Sequence, residues 1–170
     1  LQQEGIRKLR MNSTQVMRIA QGLYENGYIT YMRTDSIHLS TEALNGSRTV
    51  IEKKYGKDYL PDKPRMYKSK SKNAQEAHEA IRPAGSTFKD PQDLKNILND
   101  AEYKVYDLIW KRTVASQMNS AKTEQTKLHI SDEDYIFSAS GKTIIFPGFL
   151  RAYVEGSDDP DATLDDMEKT

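Results

Sequence analysis

The residues best suited to chemistry lie in the segment from Tyr28 to Ser36, which reads YITYMRTDS. Its first half is rich in β-branched and aromatic residues and predicts a short strand. Side chains two positions apart in a strand share a face, so we expect Tyr31 and Arg33 to point the same way. A phenol beside a permanently charged guanidinium suits a nucleophile next to a phosphate clamp. The structural alternative is a half-buried strand tyrosine beside a surface ion pair between Arg33 and Asp35.

A second polar segment, NAQEAHEAIRP, covers residues 73–83. Residues 74–81 can form a helical turn or two. In a helix, Gln75, His78 and Arg82 would lie on one face, where an amide, an imidazole and a guanidinium converge on an anion. Glu76 would lie on another face, and the spacing lacks the H-E-x-x-H pattern of zinc sites. The alternative is an ordinary solvated helix with a single histidine.

A third segment, residues 63–72, is basic and contains no acid. Its members are Lys63, Arg65, Lys68, Lys70 and Lys72, with Tyr67 among them. Cations mixed with an aromatic ring suit a single-stranded nucleic acid, whose backbone is anionic and whose bases stack. A solvated loop is the alternative, and it is the usual explanation of an isolated charge run.

Charge is divided unevenly along the chain. The 170 residues contain 25 basic and 25 acidic side chains, so the formal net charge is zero. Residues 1–120 hold 20 basic and 14 acidic side chains (net +6), and residues 121–170 hold 5 and 11 (net −6). Such asymmetry favours contact of the basic part with a polyanion. Cysteine is absent, which excludes disulfides and thiol nucleophiles. No apolar run approaches the ~20 residues of a membrane span.

Local signals predict the elements that must position these groups. Apolar periodicity predicts helices over residues 12–26, 41–55, 91–98 and 101–118, with N-caps offered by residues 12–14, Ser40, Asp90 and Asp100. In the first helix, Tyr24 continues the apolar spacing, and Asn26-Gly27 ends the helix. Beyond Met118 the pattern becomes β-prone and predicts a meander of two to four strands with a turn at residues 140–142. The predicted fold class is α+β, a mainly helical, winged-helix-like domain followed by a short antiparallel β segment.

The segment YITYMRTDS resembles the active-site segment of type IA DNA topoisomerases. Five further stretches resemble that family in order and spacing, namely LQQEGIRKL, MRIAQGLYENG, YGKDYLP, NAQEAHEAIRP and YDLIWKRTVASQM. The resemblance runs from Leu1 to about Gly148. Met32, between the tyrosine and the arginine, favours the bacterial topoisomerase I branch over the type III branch. Reverse gyrase, which shares much of this module, remains an alternative.

The resemblance implies roles for individual residues. Tyr31 would be the nucleophile that forms a 5′-phosphotyrosine link in single-stranded DNA, followed by strand passage and religation without ATP. Arg33 would position the scissile phosphate, and His78 would contact the DNA or that phosphate. Weaker assignments place Asp35, as an orienter of Arg33, and Gln75, Glu76 and Arg82 in the same local site. From the basic segment, Lys68, Lys70 and Lys72 are further DNA-binding candidates.

The resemblance also predicts how the chain is divided. Residues 1–118 correspond to the active-site tyrosine domain, residues 119–155 to an incomplete β-rich part of the arch domain, and residues 156–170 to an acidic tail. The family's magnesium-binding Toprim domain, with its catalytic acid and lysine, is expected to lie outside this chain. Mg²⁺ is therefore expected as a cofactor of the full-length enzyme and not of this fragment. The fragment alone is expected to be inactive.

The expected partners are single-stranded and negatively supercoiled DNA and the Toprim and arch domains of the same polypeptide. We expect a location in the bacterial cytoplasm, at the nucleoid, and no membrane partner. The full enzyme is expected to be a monomer, although open strand edges of the cut β segment can pair two copies of the fragment. A non-catalytic DNA-binding module on the same scaffold is the rival hypothesis. Such a module would have no need of Tyr31, Arg33 and His78 together.

Overall fold

The computed structural model describes residues 1–67, 78–132 and 135–154. Those residues form five α-helices and one antiparallel β-hairpin, which confirms the predicted α+β class. The helices are α1 (Gln2–Leu9), α2 (Ser13–Glu25), α3 (Thr41–Lys54), α4 (Pro91–Leu94) and α5 (Asp100–Ser116), and the strands are β1 (Lys122–Asp132) and β2 (Tyr135–Phe146). Short 3₁₀ turns cover Lys57–Tyr59 and Gly148–Arg151.

Helix α5 is the centre of the core. It buries the side chains of Val105, Tyr106, Leu108, Ile109, Trp110, Thr113, Val114 and Ala115, and the other four helices all contact it. Its N-cap is Asn99, one residue before the predicted Asp100. The Asn99 side chain accepts from the backbone N–H of Glu102, whose carboxylate accepts from the backbone N–H of Asn99. This reciprocal box satisfies two otherwise unpaired donors, which a cap at Asp100 would not do.

The other helix starts follow the predicted caps. Asn12 accepts from the backbone N–H of Gln15 at the start of α2, and Ser40 accepts from that of Ala43 at the start of α3. Asp90 caps α4, with Pro91 at its first position. Helix α4 is shorter than predicted, because residues 95–98 continue as turns beyond its end at Leu94.

The predicted strand at residues 28–32 is wrong. This segment makes only an isolated antiparallel bridge, between Ile29 and Pro83. The backbone N–H of Thr30 donates to the Arg82 carbonyl, and that of Ala84 donates to the Tyr28 carbonyl. The N–H groups of Tyr28 and Arg82, which would extend the ladder, donate instead to the Leu23 carbonyl and the Thr30 hydroxyl, so the pairing stays one bridge long.

The predicted helical turn over residues 74–81 also fails where the structure describes it. Residues 78–81 are not helical, and residues 74–77 lie outside the described part of the chain. The backbone donors here bond to distant segments, with Ala80 donating to the His38 carbonyl and Arg82 to the Thr30 hydroxyl. Arg82 also precedes Pro83, and a residue before proline is disfavoured in helical conformation.

The β segment is a single long hairpin. Strands β1 and β2 pair antiparallel from Lys122 opposite Phe146 to Asp132 opposite Tyr135. The predicted turn at residues 140–142 is wrong, because Gly141 stays in strand β2 and pairs with Thr126. Nearly every described residue of the hairpin is exposed, so the pairing itself holds the two strands together. Among the described residues, no helix has the length and apolarity that crossing a membrane requires.

A buried arginine joins the segment of residues 79–85 to the start of α3. The Arg82 side chain forks onto the Glu79 carboxylate, with Nε 2.8 Å from Oε1 and an Nη 2.9 Å from Oε2. The same guanidinium donates to the carbonyls of Pro83 and Gly85 at 2.8 and 2.9 Å. Glu79 in turn accepts from the backbone N–H of Ser40, the N-cap of α3, at 2.7 Å. We call Arg82, Glu79 and Ser40 the arginine knot.

Two helical glycines should respond to alanine with opposite signs. A Cβ on Gly46 would lie 2.5 Å from the carbonyl oxygen of Ser86, so Gly46→Ala should destabilise the fold by about 2 kcal/mol. A Cβ on Gly22 would meet nothing within 4 Å, so Gly22→Ala should stabilise it by about 0.5–1 kcal/mol. Urea unfolding measures the change in the free energy of unfolding for each variant. Equal changes would show that the Ser86 backbone moves away from the new Cβ at little cost.

Loss of the arginine knot should be costly. Arg82→Met leaves the Glu79 carboxylate without its cation, and we expect about 3 kcal/mol lower stability in urea unfolding. The matched control is Lys104→Met, which breaks the exposed i,i+4 pair with Asp100 and should change stability by less than about 0.5 kcal/mol.

The pH dependence gives this experiment a second readout. Burial opposes ionisation of Glu79, but hydrogen bonds from Arg82 and Ser40 outweigh it and lower the pKa of the carboxyl below its ordinary value of 4.5. A group with a lowered pKa stabilises the folded state above its unfolded pKa, and this stabilisation is lost as pH falls through the folded value. The wild type should therefore lose stability below about pH 4.5, and Arg82→Met should lose less. An identical acid response in both would contradict the knot's role.

Candidate active site

The phenol of Tyr31 lies in an exposed aromatic cluster. Its ring is flanked by Tyr24, with centroids 5.3 Å apart and planes at 70°, and by His78, with centroids 5.9 Å apart and planes at 36°. The side chain is 38% exposed, so one part of the ring is packed while the rest remains open to an incoming group. We call Tyr24, Tyr31 and His78 the aromatic triad.

The backbone beneath Tyr31 is fixed from both sides. Helix α2 ends in a turn at Gly27, whose φ of 73° suits glycine. In that turn the N–H of Tyr28 donates to the Leu23 carbonyl at 2.8 Å. After the Ile29 bridge, Met32 is buried with 6% exposure and anchors the chain in the core. Tyr31 thus projects outward between two fixed points.

Arg33 is exposed, as Tyr31 is. Met32 between them is buried, and no strand forms over these residues. Arg33 forms no ion pair or hydrogen bond with any residue in the described ranges, including its predicted partner Asp35. Within those ranges, the alternative of a surface ion pair between Arg33 and Asp35 does not occur.

The remaining predicted site residues divide into three groups. His78 meets Tyr31, as the aromatic triad shows. Asp35 is exposed and, with Arg112, lines a cleft of about 460 Å³, so nothing in this geometry has it orienting Arg33. Arg82 is only 5% exposed, and its nitrogens are engaged by the arginine knot, which assigns it to the fold. Gln75, Glu76, Lys68, Lys70 and Lys72 lie outside the described residues.

The described start of the basic segment is tied to α5. Gln117, fully buried, exchanges two hydrogen bonds with the backbone of Arg65, each 3.0 Å long. The Arg65 guanidinium donates to Ser120, and the Tyr67 hydroxyl donates to the Ser116 carbonyl. These contacts attach Arg65 and Tyr67 to the C-terminal end of α5 and the residues that follow it.

Sequence reasoning missed two residues of this site. Tyr24 was expected only as part of the apolar face of its helix, yet it is 42% exposed and touches Tyr31. Thr30 holds the loop, because its hydroxyl donates to the Ala80 carbonyl at 2.8 Å and accepts from the N–H of Arg82 at 2.9 Å. The Asn26–Gly27 helix stop was the available signal for Tyr24, since a tight turn brings positions 24 and 31 together.

The described residues do not fit a magnesium site. Within residues 1–67, 78–132 and 135–154, no three histidine or acidic side chains group closely enough to hold a metal ion. The side chains of the aromatic triad and Arg33 are suited to nucleophilic attack by a phenol near a cation that can neutralise a phosphate.

Comparison with known proteins gives the same picture over the whole chain. A family model described as DNA topoisomerase matches residues 1–170. DNA topoisomerase 1 of Synechococcus elongatus is 58% identical over 168 residues, which is 99% of this chain and 19% of that protein. DNA topoisomerase 1 of Streptomyces coelicolor is 56% identical over 174 residues, again 99% of this chain and 18% of that protein. The chain thus spans about a fifth of these relatives' length.

A solved structure agrees with the fold. Full-length topoisomerase I from Thermotoga maritima superposes with a TM-score of 0.74 and 34% sequence identity, covering 94% of this chain and 27% of that one. A family match along the entire sequence, relatives above 50% identity and a shared fold lead to one conclusion. The chain belongs to the bacterial topoisomerase I family of type IA DNA topoisomerases.

Proposed function

We propose that this chain supplies the nucleophile of a type IA DNA topoisomerase that relaxes negatively supercoiled DNA. The observation that carries the proposal is the placement of Tyr31, an exposed phenol flanked by Tyr24 and His78 and two residues before the exposed Arg33. Family membership supplies the reaction class, and this geometry supplies residues suited to it.

In the proposed reaction, the Tyr31 oxygen attacks a phosphodiester phosphorus in single-stranded DNA. A bond forms between the phenolic oxygen and phosphorus, and the bond from phosphorus to the 3′-oxygen breaks. The DNA 3′-oxygen leaves as a hydroxyl, having gained a proton, while the 5′-phosphate stays on the tyrosine. Another strand passes through the gap, and the 3′-hydroxyl then reverses the transfer. The covalent ester stores the bond energy, so ATP is not consumed.

Arg33 is the proposed phosphate clamp. Its guanidinium is permanently charged and can fork onto two phosphate oxygens, which favours the transition state as negative charge accumulates there. His78 is proposed to contact the same phosphate or the adjacent DNA, since its ring lies against Tyr31. Lys68, Lys70, Lys72, Gln75 and Glu76 remain proposed DNA contacts.

The proposed enzyme extends beyond this chain. A Toprim domain of the same polypeptide would bind Mg²⁺ and provide the acid and lysine that complete the reaction. The phenol of an isolated tyrosine has a reference pKa of about 10 and is mostly neutral at pH 7, so without those groups the chain alone should be inactive. We further propose that the complete enzyme is a monomer that works at the nucleoid in the bacterial cytoplasm.

The hairpin supports the proposed division into a tyrosine domain (1–118) and part of an arch (119–155). Its register places Leu128, Ile130, Tyr135 and Phe137 on one face. Each of these side chains is at least 54% exposed. A two-stranded hairpin is marginally stable by itself, and an apolar face of this kind favours burial against further sheet. The rest of the arch is the proposed cover.

Replacement of the Tyr31 hydroxyl should abolish covalent chemistry. The test uses a chimera in which this chain replaces the matching 168-residue segment of the Synechococcus elongatus relative. With magnesium and a 3′-labelled single-stranded oligonucleotide, the chimera should carry the label into the protein band of a denaturing gel. Tyr31→Phe should give no labelled protein while its DNA affinity stays unchanged, because only the attacking oxygen is lost.

The label position and the isolated chain provide the controls. A 5′-labelled oligonucleotide should be shortened but not attached, since the tyrosine holds the 5′-phosphate of the downstream strand. The 170-residue chain alone should form no adduct. Attachment of the 5′ label, adduct formation by Tyr31→Phe or robust relaxation by the isolated chain would each contradict the proposal.

Arg33 should be needed for its shape as well as its charge. Arg33→Lys keeps the positive charge but loses the fork, so adduct formation by the chimera should fall by about 100-fold. The matched control is Arg18→Lys. Arg18 is also exposed but lies on α2, so this replacement should leave the rate of adduct formation unchanged. A wild-type rate in Arg33→Lys would show that charge alone suffices.

A non-catalytic DNA-binding module is the second candidate function. The net charge of +6 in residues 1–120 and the exposed Arg33 favour single-stranded DNA binding under either hypothesis. The two differ in the adduct, which a binding module would not form. Binding with steep salt dependence but no labelled protein in the chimera would favour the binding module.

A further inference from the structure

We propose that Tyr24 is a positioning residue for the Tyr31 phenol, an inference that rests on the function proposed above. The two rings meet edge to face, with centroids 5.3 Å apart and planes at 70°. This is the arrangement that aromatic quadrupoles favour. Tyr24 therefore holds the nucleophile's ring through contact and does not touch the reacting atoms.

Tyr24 is mounted on a rigid support. It lies in the last turn of α2, directly after Leu23, which is 1% exposed. The helix end is closed by Asn26, whose side-chain amide donates to the Gly22 carbonyl at 2.8 Å, and by Gly27, whose N–H donates to the Tyr24 carbonyl at 2.9 Å. The backbone of Tyr24 is thus fixed relative to the core, and its ring provides a stable wall.

Tyr31, by contrast, has freedom only in its side chain. The Ile29 bridge and the buried Met32 fix its backbone, as described above. Rotation about the side-chain bonds then decides where the phenolic oxygen lies. Within the described residues, only the Tyr24 and His78 rings make aromatic contacts with Tyr31. Tyr24 is the one of these two that a helix carries.

The contact requires the ring of Tyr24 and not its hydroxyl. That hydroxyl forms no hydrogen bond with any residue in the described ranges. Phenylalanine at position 24 should therefore preserve the edge-to-face pair, whereas alanine removes it. This contrast separates a positioning role from a chemical one, since a group that acts on the DNA through its hydroxyl would fail in both variants.

Orientation matters to the rate because in-line attack on phosphorus accepts only a narrow range of oxygen positions. In single-turnover cleavage at saturating DNA, Tyr24→Ala should slow adduct formation in the chimera by about 3- to 10-fold, the worth of one aromatic pair. Tyr24→Phe should stay within about 2-fold of the wild type. DNA affinity should be unchanged in both, because the lost contact acts on orientation and not on binding.

The contact itself is measured in the 170-residue chain by NMR with labelled tyrosine rings. The Tyr31 ring resonances should shift in Tyr24→Ala and remain close to the wild type in Tyr24→Phe, since a neighbouring ring current is lost only in the first. Gln21→Ala, one turn earlier on the exposed face of α2, is the matched control and should alter neither readout. Melting temperatures should differ little, because Tyr24 is 42% exposed.

The outcomes separate this inference from the proposed function. If the wild-type chimera forms no adduct, the proposed function fails and the inference falls with it. If the wild type forms the adduct and Tyr24→Ala matches its rate, the function stands and the positioning role is overturned. Equal losses in Tyr24→Phe and Tyr24→Ala, or a loss of DNA affinity alone, would also overturn it.

Discussion

The arginine knot is the interaction on which the arrangement of the site depends. A buried cation is costly unless each of its donors finds an acceptor, and Arg82 meets this condition with Glu79 and the carbonyls of Pro83 and Gly85. Those acceptors hold residues 79–85 in a compact loop. Through Glu79 the loop is joined to the N-terminus of α3, where a carboxylate is also favoured by the helix dipole.

The arginine knot is connected to Tyr31, the proposed nucleophile, through one residue. Thr30, adjacent to Tyr31, exchanges hydrogen bonds with the backbone of Arg82, so the tyrosine segment is attached to the same loop. His78 stands at the described start of that loop and reaches Tyr31. Tyr24 approaches from the opposite direction along α2. The three rings of the aromatic triad thus come from α2, from the segment of the Ile29 bridge and from the loop that contains Arg82. The arginine knot connects the bridge segment to that loop.

The hairpin differs from the helices in how little of its apolar surface is buried. The helices pack their buried apolar side chains around α5, whereas the hairpin leaves Leu128, Ile130 and Phe137 more than half exposed. Its backbone pairing is regular across Gly141, but backbone pairing alone contributes little stability in water. This contrast agrees with a chain that spans about a fifth of its relatives, and it supports the proposed arch.

The sequence by itself determined the local starts of the helices and the candidate nucleophile. Asn12, Ser40 and Asp90 cap as predicted, because a cap is an interaction within a few residues of the same chain. The exposure of Tyr31 and Arg33 on either side of the buried Met32 agrees with local alternation. Resemblance of the motifs to type IA topoisomerases named the family correctly.

Only the tertiary structure decided what Arg82 and Tyr24 do. Thr30 and Arg82 are 52 positions apart, and no periodicity reveals that their backbones pair or that the pairing stops after one bridge. The Arg82 guanidinium was predicted to lie in the DNA site, yet it is buried and its N–H groups donate to acceptors of the protein itself. Tyr24 had the spacing of a core residue, yet the turn at Gly27 placed its ring against the nucleophile. Local patterns specify which groups are present, and long-range packing determines which of them remain free to act.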